Sequence, residues 1–285
     1  MTELRQAMID AMLLRGFAER TQQCYLRSVE GLARYYRRSP SQLSPEEIQR
    51  YFLYLVKERH LAPASVRLAL NALVFLYRGV LHQEVVRDIV IPKATQGKPE
   101  LLTRAEVGSL LAACSNHKHQ TLLMVCYGCG LRVSELMGLR VKDIDGQRQL
   151  LHIHGGKGGK DRLVECSPGL LSALRAYWLV FRPRDWLFPG RSPTQALGVD
   201  SARKSFHRAK QRAGITKAGG IHALRHAYAT HQLAAGMALM KLQHQLGHRD
   251  VRTTMRYLHW VPRYQGGASA ADLIADLVSR HEHRG

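Results

Sequence analysis

The apolar residues in the first third of the chain recur with the period of an α-helix, and this period limits the possible folds more than any other feature. Steps of four and three positions place side chains on one face of a helix. Two stretches follow this spacing: Tyr25, Val29, Leu32 and Tyr36, then Val66, Leu70, Leu73 and Tyr77. Between them, Ser44 and Pro45 followed by Glu47 form a typical helix start. Because alternating strand patterns are almost absent here, residues 1–84 are expected to form a helical bundle.

The second part of the chain combines helices with one strand signal. Residues 151–154 alternate in polarity, and the glycine-rich segment GGKGGKD separates them from RLVEC, a pattern that predicts a β-hairpin. Thr103 and Glu106 form a capping box at the start of a helix, and residues 201–213 form a strongly basic helix. The expected fold class is therefore mainly α with a small β-sheet (α+β).

A change of composition separates the two parts. Residues 85–100 contain Pro92, Gly97 and Pro99 with few helical repeats, which is typical of an interdomain linker. We therefore predict a second domain over residues 101–285.

The net charge limits the class of partner. Lys and Arg outnumber Asp and Glu by 42 to 22, a formal net charge of +20. A globular chain this basic usually binds DNA, RNA or an anionic membrane surface, and an adaptation for solubility is the alternative. If the partner is DNA, the residues expected to contact it are Arg34, Arg37, Arg38, Lys160, Arg162, Arg203, Lys204 and Arg208. The sequence has no signal peptide and no apolar run of 18 residues, so no membrane span is expected and the protein is predicted to be cytoplasmic.

The five cysteines fit a reducing compartment, because their number is odd and they form no regular framework. Cys126 and Cys129 form a CxxC, but no second CxxC follows, and both lie in the apolar segment TLLMVCYGCGL. We interpret them as buried thiols rather than zinc ligands.

Two segments carry basic residues that could bind a phosphate. In GCGLRVSEL, Arg132 and Glu135 are three positions apart and share a helix face, where a surface ion pair is the alternative. In GGKGGKDR, Lys157 lies at the predicted hairpin tip. Glycines allow such a tip to approach a backbone closely, and a flexible lysine there can reach a phosphate or donate a proton. Taken alone, this segment fits a solvated turn better.

Two further segments supply the other groups needed for chemistry at a phosphodiester. His222 and Arg225 emerge on the same side of a helix, and His248 precedes Tyr257 by nine positions. Arginine forks match the nonbridging oxygens of a phosphodiester. A tyrosine hydroxyl can attack the phosphorus if a base or cationic surroundings favour the phenolate, and an acid must protonate the departing oxygen.

A metal site is the main alternative for the histidines. His222 and His226, like His244 and His248, are four positions apart, which suits ligand pairs on helices. However, no carboxylate or cysteine accompanies them in a familiar ligand pattern, and HExxH is absent. No metal is therefore expected.

The order of these residues resembles the tyrosine recombinase family (phage integrase, Xer-like) over nearly the whole chain. The motif residues are Arg132, Lys157, His222-x-x-Arg225, His248 and Tyr257. The resemblance implies an N-terminal SAM-like helical core-binding domain and a C-terminal tyrosine-recombinase catalytic domain that together clamp DNA. It also implies that His248 orients the phosphate and that Glu135 supports the site.

The resemblance assigns the remaining roles as well. It implies that Arg132 and Arg225 bind the scissile phosphate, that Tyr257 attacks it, that Lys157 is the general acid and that His222 is a general acid/base. The implied reaction forms a 3′-phosphotyrosine and passes through a Holliday junction, without ATP, cofactor or metal. The implied partners are paired double-stranded DNA sites bound by a homotetramer at the nucleoid, with an accessory DNA-bending or directionality protein as a further candidate.

Three alternatives stay open at this point. A type IB topoisomerase-like enzyme would use the same residues but rejoin the original strand. A non-catalytic DNA-binding factor is disfavoured because every catalytic residue type is present. The closing segment, residues 268–278, is expected to form an exchange helix that docks on a neighbouring protomer, with docking on its own domain as the alternative.

Overall fold

The computed structural model describes residues 2–83, 100–155 and 161–261. The chain divides into two compact units, residues 1–97 and 98–285. Three predicted features lie outside the described residues: nearly all of the linker, Lys157 with Lys160, and the closing segment. No helix among the described residues is long and apolar enough to cross a membrane.

The first unit consists of helices, as its apolar period predicts. Its helices are α1 (Glu3–Leu14), α2 (Glu19–Tyr36), α3 (Pro45–Lys57) and α4 (Pro63–Gly79). The predicted start of α3 is confirmed, because Ser44 and Glu47 exchange hydrogen bonds in a capping box. The faces of α2 and α4 pack together, and Leu32, Leu73 and Leu76 are fully buried between the helices.

The second unit combines helices with a small sheet. Its helices are α5 (Arg104–Ala112), α6 (His117–Gly128), α7 (Val133–Met137), α8 (Pro168–Phe181), α9 (Val199–Arg212), α10 (His222–Ala234), α11 (Leu239–Leu246) and α12 (Val251–Met255). A 3-10 turn over Leu258–Trp260 follows. The predicted capping box at Thr103 and Glu106 is present at α5.

The sheet contains the predicted hairpin. Its strands are β1 (Ile144–Asp145), β2 (Leu150–Ile153) and β3 (Arg162–Glu165), antiparallel in the order β1-β2-β3. Leu151 lies opposite Val164, and both are buried with Ile153 on one face of the sheet. Period-two alternation therefore turns one face to the core, and the expected mainly α fold with a small sheet is confirmed.

Helix α10 lies between two apolar clusters of this unit. Leu224 and Ala227 join the larger cluster, which also contains Cys126 and Cys129, buried as the sequence predicts. Tyr228 and other side chains of α10 join a smaller cluster with α11 and the final turn. Because α10 packs on both sides, two of its polar side chains, Arg225 and Thr230, are buried as well.

Candidate active site

The first basic residue of the site follows a sharp turn after α6. Gly130 has φ +61°, and a Cβ at this position would lie 2.3 Å from the ring of Tyr228, so only glycine fits. The turn places Arg132 at the N-terminal end of α7. There its backbone N–H donates to Glu135 Oε2 at 2.9 Å, and its Nη1 donates to Oε1 at 2.6 Å. The pair that the sequence suggested is therefore formed, and it is part-buried rather than a surface ion pair.

The carboxylate of Glu135 is surrounded by three guanidinium groups. Besides Arg132, Arg162 donates to both of its oxygens at 2.8 and 3.0 Å, and Arg225 Nη1 lies 3.9 Å from Oε2. Burial alone would raise the pKa of Glu135, but the hydrogen bonds from Arg162 and Arg132 lower it to about 2. Since one negative charge faces three positive ones, the cluster keeps a net positive charge.

Arg162 is not where the sequence suggested. It was expected to contact DNA, but its side chain is only 7% exposed. Its Nε donates to the Gln245 carbonyl at 3.0 Å, and both Nη groups are directed at Glu135. Strand β3 turns this residue inward, so its guanidinium links the sheet, Glu135 and the end of α11 instead of facing solvent.

Arg225 projects from the buried helix α10. It is 5% exposed, and it donates to the carbonyls of Gly130 and Leu246, each at 2.7 Å. Burial and the neighbouring charge of Arg132 lower its pKa to about 10, so the guanidinium stays charged at neutral pH. The two carbonyl contacts fix the direction of this charge.

His248 joins Arg225 to the end of the chain. Its Nε2 lies 3.1 Å from Arg225 Nη2, and its Nδ1 lies 2.9 Å from the Thr254 hydroxyl. An arginine can only donate, so Nε2 accepts and Nδ1–H donates to Thr254. Burial, with the charges of Arg225 and Arg132, lowers the pKa of His248 to about 4, which keeps the ring neutral at pH 7.

Tyr257 lies against this cluster and is 4% exposed. Its ring is parallel to that of His248, with centroids 6.2 Å apart and an interplanar angle of 6°. Its hydroxyl lies 3.0 Å from His226 Nδ1. Burial raises the pKa of Tyr257, and the positive charges of Arg225 and Arg132 oppose this effect. The structure thus brings the predicted Arg132, Arg225, His248 and Tyr257 into one cluster.

Two further histidines, His222 and His226, lie one turn apart on α10. His222, the first residue of α10, is exposed, and its pKa is lowered by partial burial and by the charges of Arg225 and Arg203. His226, which the sequence suggests only as a metal-ligand partner of His222, lies within hydrogen-bond distance of the Tyr257 hydroxyl. The position of His226 directly after Arg225 in the sequence is the feature that could have indicated its place in the site. Within the described ranges, no three His, Cys, Asp or Glu residues lie close enough together to hold a metal ion.

The other expected DNA contacts lie at the surface of their own units. In the second unit, Arg203, Lys204 and Arg208 are exposed along α9, whose opposite face is buried. In the first unit, Arg34, Arg37 and Arg38 are exposed near the end of α2, and Arg38 forms an ion pair with Glu47. Each unit therefore presents basic side chains to solvent.

Comparison with known proteins identifies the family. The model of the phage integrase family matches residues 100–262, and the model of the phage integrase N-terminal SAM-like domain matches residues 4–87. The chain therefore belongs to the phage integrase family, and its enzyme class is the tyrosine-type site-specific DNA recombinases. The resemblance read from the motif residues is confirmed.

Relatives support the same assignment. The chain is 40% identical to the y4qK protein of Sinorhizobium fredii over 260 residues, covering 90% of this chain and 84% of that protein. It is 34% identical to tyrosine recombinase XerD of Caulobacter vibrioides over 269 residues, covering 86% and 87%. The crystal structure of a lambda integrase dimer bound to a COC′ core site has a TM-score of 0.74 at 17% identity, covering 88% of this chain and 95% of that one, and supports the fold.

Proposed function

We propose that this enzyme cuts and rejoins DNA at specific sites through a covalent bond between Tyr257 and a 3′-phosphate. The observation that carries the proposal is the cluster of Arg132, Arg225 and His248 beside the Tyr257 ring. The DNA complex of lambda integrase and the relation to XerD support DNA as the substrate.

The cluster suits attack on a phosphodiester. Two guanidinium groups can bind the nonbridging oxygens and stabilise the charge that builds up in the pentacoordinate transition state. His248 is neutral and accepts from Arg225 through Nε2, so it would orient the guanidinium that binds the phosphate and add no charge of its own. Lys157, which follows β2 in the sequence, is assigned the protonation of the departing 5′-oxygen, and His222 a role as acid or base.

The covalent link conserves the energy of the phosphodiester bond, so the proposed reaction needs no ATP. The guanidinium groups stabilise the charge on the phosphate, so the proposal requires no metal. The freed 5′-hydroxyl then attacks the phosphotyrosine of a partner strand, and two such exchanges pass through a Holliday junction. This chemistry requires four protomers on two paired sites, with an accessory DNA-bending or directionality protein as a further candidate partner. Outside the site, Arg203, Lys204 and Arg208 on α9 would bind phosphates and make affinity depend strongly on salt.

The test uses a library of nicked duplexes in which cleavage releases a short fragment and traps the covalent intermediate. Denaturing gels compare the wild type with Tyr257→Phe, which keeps the ring against His248 and removes only the hydroxyl. We expect an adduct with the wild type and none with the variant. Tight binding without an adduct on any duplex would contradict the proposal and indicate a non-catalytic DNA-binding factor.

A second assay separates strand exchange from simple relaxation. The trapped site is placed once or twice in supercoiled plasmids. Recombination requires two sites and exchanges the flanking DNA. A type IB topoisomerase-like enzyme would relax the one-site plasmid as fast as the two-site plasmid. Equal relaxation of both plasmids with no exchanged product would overturn the recombinase assignment while leaving Tyr257 as nucleophile.

A further inference from the structure

We propose that His226 accepts the proton of the Tyr257 hydroxyl during DNA cleavage and returns it during rejoining. This inference rests on the proposed function, since it names the base for the same nucleophile. It differs from the assignment carried by the motif, which gives acid/base work to His222 and leaves His226 without a role.

The geometry of three side chains carries the inference. His226 Nδ1 lies 3.0 Å from Tyr257 Oη, which is the distance of a hydrogen bond. Trp260 contacts both rings edge-on, with centroid distances of 6.0 Å to His226 and 5.2 Å to Tyr257. Because Trp260 packs against both rings, it supports the arrangement in which the Tyr257 hydroxyl faces Nδ1 of His226.

Neighbouring groups are less suited to take this proton. Both nitrogens of His248 are engaged, by Arg225 and by Thr254, and its ring lies parallel to that of Tyr257, so no lone pair faces the hydroxyl. Arginines cannot accept a proton at neutral pH. Glu135 is held by the guanidinium groups. Among the described residues, His226 is thus the base in hydrogen-bond contact with the nucleophile.

The surroundings of His226 keep it neutral and therefore able to accept. Partial burial, His222 and Arg225 on α10, and Arg256 next to the tyrosine all lower its pKa below the ordinary value of 6.5. With Nδ1 as acceptor, the remaining proton of the neutral ring lies on Nε2. The same neighbours disfavour protonated His226, which favours return of the proton to the phenolate during rejoining.

The step balances in both directions. As the bond from Tyr257 Oη to phosphorus forms, the phenolic O–H bond breaks and its proton moves to Nδ1 of His226. The bond from phosphorus to the 5′-oxygen breaks, and that oxygen takes a proton from a separate donor, assigned above to Lys157. In rejoining, the 5′-hydroxyl attacks the phosphorus and gives its proton back to that separate donor. The bond from phosphorus to Tyr257 Oη breaks, and His226 returns its proton to the phenolate.

The experiment measures the single-turnover rate of adduct formation on the nicked duplex trapped by the wild type. The variants are His226→Ala, and His226→Asn, whose amide keeps a hydrogen-bonding group near Nδ1 but cannot take a proton. Both are expected to be slower by roughly 100-fold or more, the usual size of a general-base effect. His231→Asn is the matched control, because His231 on the same helix forms a similar bond to Tyr127 Oη at 2.9 Å, apart from the cluster. It should retain the wild-type rate.

A second substrate distinguishes proton transfer from the nucleophile from proton transfer to the leaving group. Sulfur in place of the 5′-bridging oxygen gives a leaving group that needs no proton. Lys157→Ala should regain its rate on this substrate, whereas both His226 variants should remain slow because the nucleophile side is impaired. Thermal unfolding and DNA binding test whether each variant is folded. If His226→Ala is unfolded, the rate of His226→Asn alone decides the outcome.

The possible outcomes distinguish failure of the proton transfer to His226 from failure of the proposed DNA cleavage by Tyr257. Absence of any wild-type adduct would refute the proposed function itself. A wild-type adduct together with a full rate for His226→Asn would overturn the proton transfer and leave the nucleophile intact. Rescue of the His226 variants by the sulfur substrate would likewise overturn it, because the defect would then lie at the leaving group.

Discussion

Replacement of Glu135 by Gln should destabilise the second unit by about 3 kcal/mol at pH 7. The pKa of Glu135 is about 2 against an ordinary 4.5, and a tenfold change in the proton affinity of a group corresponds to about 1.36 kcal/mol. The figure agrees with the cost of about 3–5 kcal/mol for breaking a buried ion pair. Gln keeps the size of the side chain but leaves Arg132, Arg162 and Arg225 close together without a negative charge.

The pH dependence of this effect has a definite sign. Because folding lowers the pKa of Glu135, its contribution to stability is complete above pH 4.5 and is lost as the pH falls toward 2. The difference between wild type and variant should therefore be constant from pH 7 to pH 5 and shrink at lower pH, to about 1 kcal/mol at pH 3.

Urea unfolding followed by tryptophan fluorescence measures the effect, since all three tryptophans, at positions 178, 186 and 260, lie in the second unit. The matched control is Asp185→Asn, whose pair with Arg140 is largely exposed and should be worth less than about 1 kcal/mol. A loss for Glu135→Gln no larger than that of the control, or a difference that does not shrink below pH 4.5, would refute the reasoning.

Three further predictions follow from local contacts. Gly247→Ala should cost about 1–2 kcal/mol and slow adduct formation, because φ is +62° and the new Cβ would lie 3.0 Å from the Arg162 guanidinium; an unchanged unfolding midpoint would contradict this. Burial raises the pKa of the Cys126 thiol to about 12, so iodoacetamide should label Cys24 well before Cys126 in the native protein; equal labelling by mass spectrometry would be inconsistent with the buried thiol. Ser44→Ala should cost about 1 kcal/mol through loss of the α3 capping box, measured by circular dichroism during urea unfolding, and no loss would argue against the cap.

Local features of the structure could be predicted because local physics encodes them. The apolar period placed the helix faces, the capping boxes at Ser44 and Thr103 marked helix starts, and alternation around the glycines marked the hairpin. The grouping of Arg132, Arg225 and His248 with Tyr257 followed from their order along the chain, which matches a family motif, and not from spacing alone.

Long-range pairing could not be predicted in the same way. Arg162 looked like a DNA contact because it follows a basic, glycine-rich segment, but it pairs with Glu135, 27 positions away, and with Gln245, 83 positions away. The bond from His226 to Tyr257 spans 31 positions and depends on how α10 packs against the final turn. The sequence places His226 one helical turn from His222, so it suggested a metal-ligand pair rather than a base.

The most direct test of the central claim is the chemical identity of the trapped adduct. The wild-type protein is reacted with the nicked duplex, digested with protease and nuclease, and the modified peptide is sequenced by mass spectrometry. We predict one modified peptide, carrying a nucleotide linked through its 3′-phosphate to Tyr257. A nucleotide attached to any other residue, or linked to Tyr257 through a 5′-phosphate, would contradict the account.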